Sequence, residues 1–104
     1  MDQEQRRLEL HDILSSIEGV KKAYYQPPES MRMTYPCIRY ERSNGLTTFA
    51  NNYPYQFTMR YTVTVIDTDP DSKIVEEVAK LQMCTFDRAY SSDNLYHSVF
   101  TIYY

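Results

Sequence analysis

Between residues 55 and 81 one hydrophobic period hands over to another. Phe57, Met59, Tyr61, Val63 and Val65 alternate with Thr58, Arg60, Thr62 and Thr64, the period-2 pattern of a half-buried strand. The run Asp67-Thr68-Asp69-Pro70-Asp71 breaks that pattern, and Ile74, Val75, Val78 and Leu81 return at helical spacing. Asp69 is expected to cap this helix and Pro70 to occupy its first position, where a missing N–H costs nothing. A long strand feeding an amphipathic helix commits the chain to mixed α and β structure.

The flanking segments extend the reading. Over residues 2–18, Leu10, Ile13, Leu14 and Ile17 make an apolar stripe, with Arg6, Glu9 and Asp12 on the wet side. Gly19 stands where a left-handed C-terminal cap belongs. His11 is expected on a solvated flank of that helix. A short strand over 20–26 ends at Pro27-Pro28, and a loop over 29–35 carries Met31 and Met33. The alternating run 37–42 reads as a strand, and Ser43-Asn44-Gly45 as a turn ending it. Residues 46–55, with Phe49, Tyr53 and Tyr55 among asparagines and a proline, read as a long irregular connection, the kind that is usually functional. After the second helix come strands over 84–89 and 96–104, joined by a turn at 91–94. The whole chain, 1–104, is expected to be a single α+β domain of order α-β-β-β-α-β-β. Meander connections make its sheet mainly antiparallel, with both helices packed on one face.

Composition narrows what such a domain does. At 104 residues there is room for one core. Fourteen Asp and Glu stand against eleven Lys and Arg, a balance that does not suit a protein gripping phosphates. Cys37 and Cys84 lack CxxC partners and read as small reduced hydrophobes. No apolar run approaches the ~20 residues of a membrane span, and no leader-type apolar segment follows the charged N-terminus, so a soluble protein made in a cytoplasm is expected. Eleven tyrosines against two glycines suit surfaces that are half apolar and half wet, although tyrosine is also a good strand former.

The chemistry-bearing residues do not assemble into a motif. His97 with Asp93 and Ser92 can be written as a triad, yet no nucleophile elbow or oxyanion glycines accompany them. Cys37, Cys84, His11 and His97 come from four separate elements, without the local ligand pairs of structural zinc sites. The run Asp67, Asp69, Asp71 begins like a calcium loop but lacks its glycine and closing glutamate, and Val78 stands at the twelfth position. Gly-rich phosphate loops are absent. The expectation is a structural protein: not an enzyme, with no cofactor and no metal.

The segments Tyr35-Pro-Cys-Ile-Arg-Tyr-Glu-Arg42, Arg60-Tyr-Thr-Val-Thr-Val-Ile-Asp67, Asp69-Pro-Asp-Ser-Lys73, Met83-Cys-Thr-Phe-Asp-Arg88 and Asn94-Leu-Tyr-His-Ser-Val-Phe-Thr-Ile-Tyr-Tyr104 together resemble the tail terminator, or tail-completion, neck proteins of long-tailed siphovirus-type bacteriophages. The resemblance spans nearly the whole chain and rests on arrangement more than on fixed chemistry. It implies a homo-oligomeric, hexameric ring at the head-proximal end of the tail tube. Such a ring ends tube polymerisation and meets a head-completion or connector protein. DNA would pass through its lumen without sequence-specific binding. The implied location is the virion neck, and the host cytoplasm during assembly. Met31, Met33, Phe49, Tyr53 and Tyr55 are the expected protein-interface residues. Two other readings stay open: a head-completion protein of the same neck, and a small dimeric ligand-binding or regulatory α+β domain.

Overall fold

In the computed structural model the chain runs α1 (Gln3–Ser15), β1 (Lys22–Tyr25), β2 (Cys37–Ala50), β3 (Tyr53–Asp67), α2 (Lys73–Ala79), β4 (Cys84–Ser92) and β5 (Leu95–Tyr103). The structure describes residues 3–28, 30–50 and 53–104, with the side chains at 3, 44–50 and 53–58 outside that description. Among the described residues the strands form one five-stranded sheet, ordered β1-β2-β3-β5-β4. This is the expected α+β domain with its mainly antiparallel sheet. The meander expectation is corrected at one edge, where β1 pairs with β2 in parallel. Pro27 and Pro28 follow β1, and the sequence has eleven residues, 26–36, between β1 and β2. A connection of that length is what a parallel pair needs and a tight hairpin does not.

Period and register agree about the core. Ile38 lies opposite Val65 and Tyr40 opposite Val63, and Val63 in turn lies opposite Phe100. These side chains share the sheet face onto which Leu10 and Leu14 of α1 and Ile74 and Val78 of α2 pack. Both helices therefore cover the same face. Ile13, expected in the stripe of α1, is instead exposed. Gly19 has φ +96°, and a Cβ there would stand 3.5 Å from the side chain of Ile74, so the turn after α1 passes close to α2 in a backbone conformation that favours glycine.

Tyr40 is the fastener of α1. Its ring is fully buried, and its hydroxyl is 2.7 Å from Nδ1 of His11, which corrects the expectation of a solvated histidine. The Tyr25 ring lies 5.0 Å from it and the Tyr61 ring 6.1 Å, edge-on. The Arg7 guanidinium sits 4.3 Å above Tyr25. Each aromatic pair adds about 0.5–1.5 kcal/mol beyond its burial.

Three local expectations are also corrected. Ser43-Asn44-Gly45 does not turn the chain: Arg42 pairs with Tyr61 and Gly45 with Met59, so one extra residue sits in β2 as a bulge. Ser43 Oγ stabilises it, donating to the Arg60 carbonyl at 3.1 Å and accepting from Arg60 Nε at 3.0 Å. The irregular connection over 46–55 is instead strand, with β2 and β3 paired as far as Ala50 and Tyr53. Finally, α2 begins at Lys73, not at Pro70. Asp67 accepts from the Asp69 amide and Asp69 from the Asp71 amide, two successive Asx turns that spend the carboxylates on the loop before the helix starts. No helix among the described residues is long and apolar enough to cross a membrane.

Leu14 has no exposed surface, so Leu14→Ala should cost about 2–5 kcal/mol of unfolding free energy in urea titration. Met31→Ala, at an exposed position, should stay within about 0.5 kcal/mol.

Candidate functional site

Three surfaces are available for chemistry or contact. The first is the far end of the β2–β3 hairpin. Beyond Met59, β2 and β3 pair only with each other among the described residues. Gly45 to Ala50 is enough strand to reach about 20 Å past the sheet. The molecule measures 51 × 23 × 23 Å. From Ser43 to Met59 the sequence contains no charged residue, with Arg42 and Arg60 closing the run at either end. That uncharged run was legible and is a better signal than the individual aromatics, because a solvated hairpin ordinarily carries charge to guard its edges. Phe49, Tyr53 and Tyr55 fall on this ribbon, and their side chains lie outside the described residues.

The two methionines are elsewhere. Met33 packs, half-buried, with Tyr35 against Tyr24, Cys37 and Ile66, and the Tyr24 hydroxyl accepts from the Thr34 amide at 2.9 Å. Met31 is exposed. Since Cys37 opens β2 and Ala50 closes it, the methionine loop and the ribbon occupy opposite ends of the sheet. The five expected contact residues do not form one patch.

The second surface is the sheet face turned away from the helices. Its register places Tyr24, Arg39, Thr64, Val99 and Arg88 in one row across all five strands. In the next row His97 stacks on Tyr90, with ring centroids 4.7 Å apart and planes at 11°. His97 Nδ1 is 3.3 Å from the Leu95 carbonyl, a bond that calls for the proton on Nδ1. Arg88 reaches over Tyr90 at 6.0 Å. Among the described residues no hydrogen bond joins His97 to Asp93. A bulge at Asp87 shifts the register of β4, which brings Arg88 and Tyr90 onto this face and leaves Phe86 on the helix side, edge-on to Phe100.

The third is a groove of about 350 Å³ on the helix side, lined by Leu10, Ile13, Leu81, Met83, Ile102 and Tyr104 among others. Tyr104 closes one wall, its hydroxyl donating to Glu9 at 3.0 Å. Met83 and Phe86, both more than half exposed, continue the apolar surface onto the outer strand β4. A second hollow, about 570 Å³, carries Glu18, Asp67, Asp69, Asp71 and Glu77. Among the described residues no three acidic, histidine or cysteine groups converge as metal ligands. The buried Ser72 Oγ has no hydrogen-bond partner among the described residues.

Both cysteines are free thiols. Burial pushes the Cys37 thiol from 9.0 up to about 11, partly offset by the nearby Arg39 charge. Burial also raises Cys84, so neither is poised as a nucleophile at neutral pH. No family model matches this chain, and no curated protein matches its sequence.

A thiol whose folded pKa is raised holds its proton after the unfolded chain has released it. Its contribution to stability is therefore complete below about pH 9 and lost as pH climbs toward about 11. Tyr40 and Tyr104, also raised by burial, carry the same trend to higher pH. Urea midpoints measured from pH 8 to pH 11 should fall in the native chain and fall less in Cys37→Ala. Parallel curves for the two proteins would exclude the thiol as the source.

Proposed function

We propose that this chain is the subunit of a closed ring that caps the head-proximal end of a phage tail tube and joins it to the head connector. The observation that carries the reading is the uncharged, aromatic-bearing ribbon formed by the ends of β2 and β3. A two-stranded ribbon without a third strand or a packed layer is marginal in water. A segment held out this way, without charges to solvate it, suits contact with another protein. A ring also needs two different patches per subunit, and the ribbon and the methionine loop lie at opposite ends of the sheet. The resemblance to tail terminators supplies the particular partners: the tail tube protein on one side and a head-completion protein on the other. In this reading the protein is structural, works without a cofactor, and resides in the virion neck.

A second reading is favoured by the apolar groove between α1 and the start of β4. Its volume of about 350 Å³ lies within the size of small-molecule sites, and a dimeric binding domain would use it.

Light scattering coupled to size exclusion over a wide concentration range, followed by electron microscopy, separates the two. Closed six-fold rings are expected. A two-fold dimer that takes up an apolar fluorophore in the groove would replace the ring with the binding domain. The double variant Phe49→Ala with Tyr53→Ala should keep cooperative unfolding and lose assembly. Loss of cooperativity instead would make the ribbon part of the core.

A further inference from the structure

The hollow of about 570 Å³ is lined from the turn after α1, the end of β3 and the start of α2. Glu18, Asp69, Asp71 and Glu77 are exposed around it, while Asp67 and Ser72 are about nine-tenths buried. Against its five carboxylates stand Lys73, in the lining, and Lys80, which pairs with Glu77 at 3.3 Å. That leaves a surplus of three negative charges. Two buried groups of the lining are incompletely matched. The Asp67 carboxylate accepts the Asp69 amide at 3.1 Å but has no cation within ion-pair distance among the described residues. The Ser72 hydroxyl, at the cap position of α2, makes no cap hydrogen bond and has no partner among the described residues. A buried hydroxyl without a partner costs free energy, and a buried carboxylate is ordinarily matched by a cation. One ligand with cationic N–H groups answers both.

We propose that this hollow binds a small organic polycation of the linear polyamine class, with one ammonium group at Asp67 and Ser72 and the others at the exposed carboxylates around them. Among the described residues no three acidic groups converge as metal ligands, so a bare divalent ion finds no cage here. Ammonium groups spaced along an alkyl chain can instead reach carboxylates that stand apart. Each ammonium carries three donors and no acceptor, which suits a hydroxyl and carboxylates with accepting capacity left. Asp67 and Asp69 each give one oxygen to a loop amide and keep the other for a ligand. Pro36 and Ile74, also in the lining, offer apolar surface to the alkyl segments. The volume lies within the range of small-molecule sites. The hollow is distinct from the ribbon and from the apolar groove, and the proposal does not depend on ring formation.

Calorimetric titration with spermidine, and separately with magnesium chloride, tests this. The native chain should bind spermidine saturably, with a Kd below about 1 mM, and magnesium at least about tenfold more weakly. Asp67→Asn keeps an oxygen for the Asp69 amide and removes the charge, and it should weaken spermidine binding at least about tenfold. Ser72→Ala should weaken it about threefold without lowering the melting temperature, because the hydroxyl has no partner in the free chain. Glu76→Gln, which removes an exposed α2 charge outside the hollow, should leave binding unchanged. Melting curves report whether each variant folds; if Asp67→Asn does not, Glu18→Gln at an exposed position takes its place, with a loss of about threefold expected. Absence of spermidine binding by the native chain overturns the proposal. Equal losses in Glu76→Gln and in the hollow variants mean diffuse attraction and overturn it too. A Ser72→Ala chain that melts lower and binds as the native chain does would place that hydroxyl's role in the fold and overturn its part in the site. Magnesium that binds as tightly as spermidine, with the same dependence on Asp67, would give the hollow to a metal ion and overturn the polyamine.

Discussion

A sheet covered by helices on one side only must settle two different accounts at once, and the rest of this molecule follows from that. On the covered side the problem is packing. Tyr40 and Tyr61 are too large for a simple aliphatic layer, and the protein accommodates them by stacking Tyr25 beside Tyr40 and giving the Tyr40 hydroxyl a partner in His11. The cost of burying a phenol is met by a hydrogen bond from the helix that covers it, so α1 is held by a polar contact as well as by Leu10 and Leu14. On the uncovered side the problem is solvation. There the strands alternate into threonine, arginine and histidine at the outer rows, while Tyr24, Cys37, Ile66, Thr64 and Val99 are buried, the first three beneath Met33 and Tyr35.

What could be read from the residues divides along the same line. The handover from β3 to α2, the helices' shared face and the alternation of β3 were visible because burial on one side imposes a period. The 43–45 segment was misread for a physical reason. Asn and Gly relieve the chain of the usual φ restriction, and a bulge uses that freedom as readily as a turn does. The strand therefore continued where a stop was expected, and what looked like a loop became the ribbon. The Asp67–Asp71 run was misplaced similarly: the side chains that make good helix caps also make Asx turns, and two of them in succession delayed α2 to Lys73. The parallel β1 had no local signature, because strand direction depends on where a connection returns and not on the residues of the strand.

Contact residues were less legible than core residues. Tyrosine count pointed to wet surfaces, but several tyrosines, Tyr24, Tyr40 and Tyr61 among them, are buried. Net charge is no guide to contact either, because strand register and helix phase decide which charges share a side. The Asp87 bulge makes the point at a single residue: without it, Arg88 and Tyr90 would be on the helix side of β4.

The far end of the β2–β3 hairpin stands apart from the covered sheet. From Ser43 to Met59 the sequence contains no charged residue, and beyond Met59 the two strands pair only with each other among the described residues. A two-stranded ribbon without a third strand or a packed layer is marginal in water. Contact with another surface would therefore stabilise this segment more than any other part of the fold, because every other strand already has a neighbour or a helix to lean on.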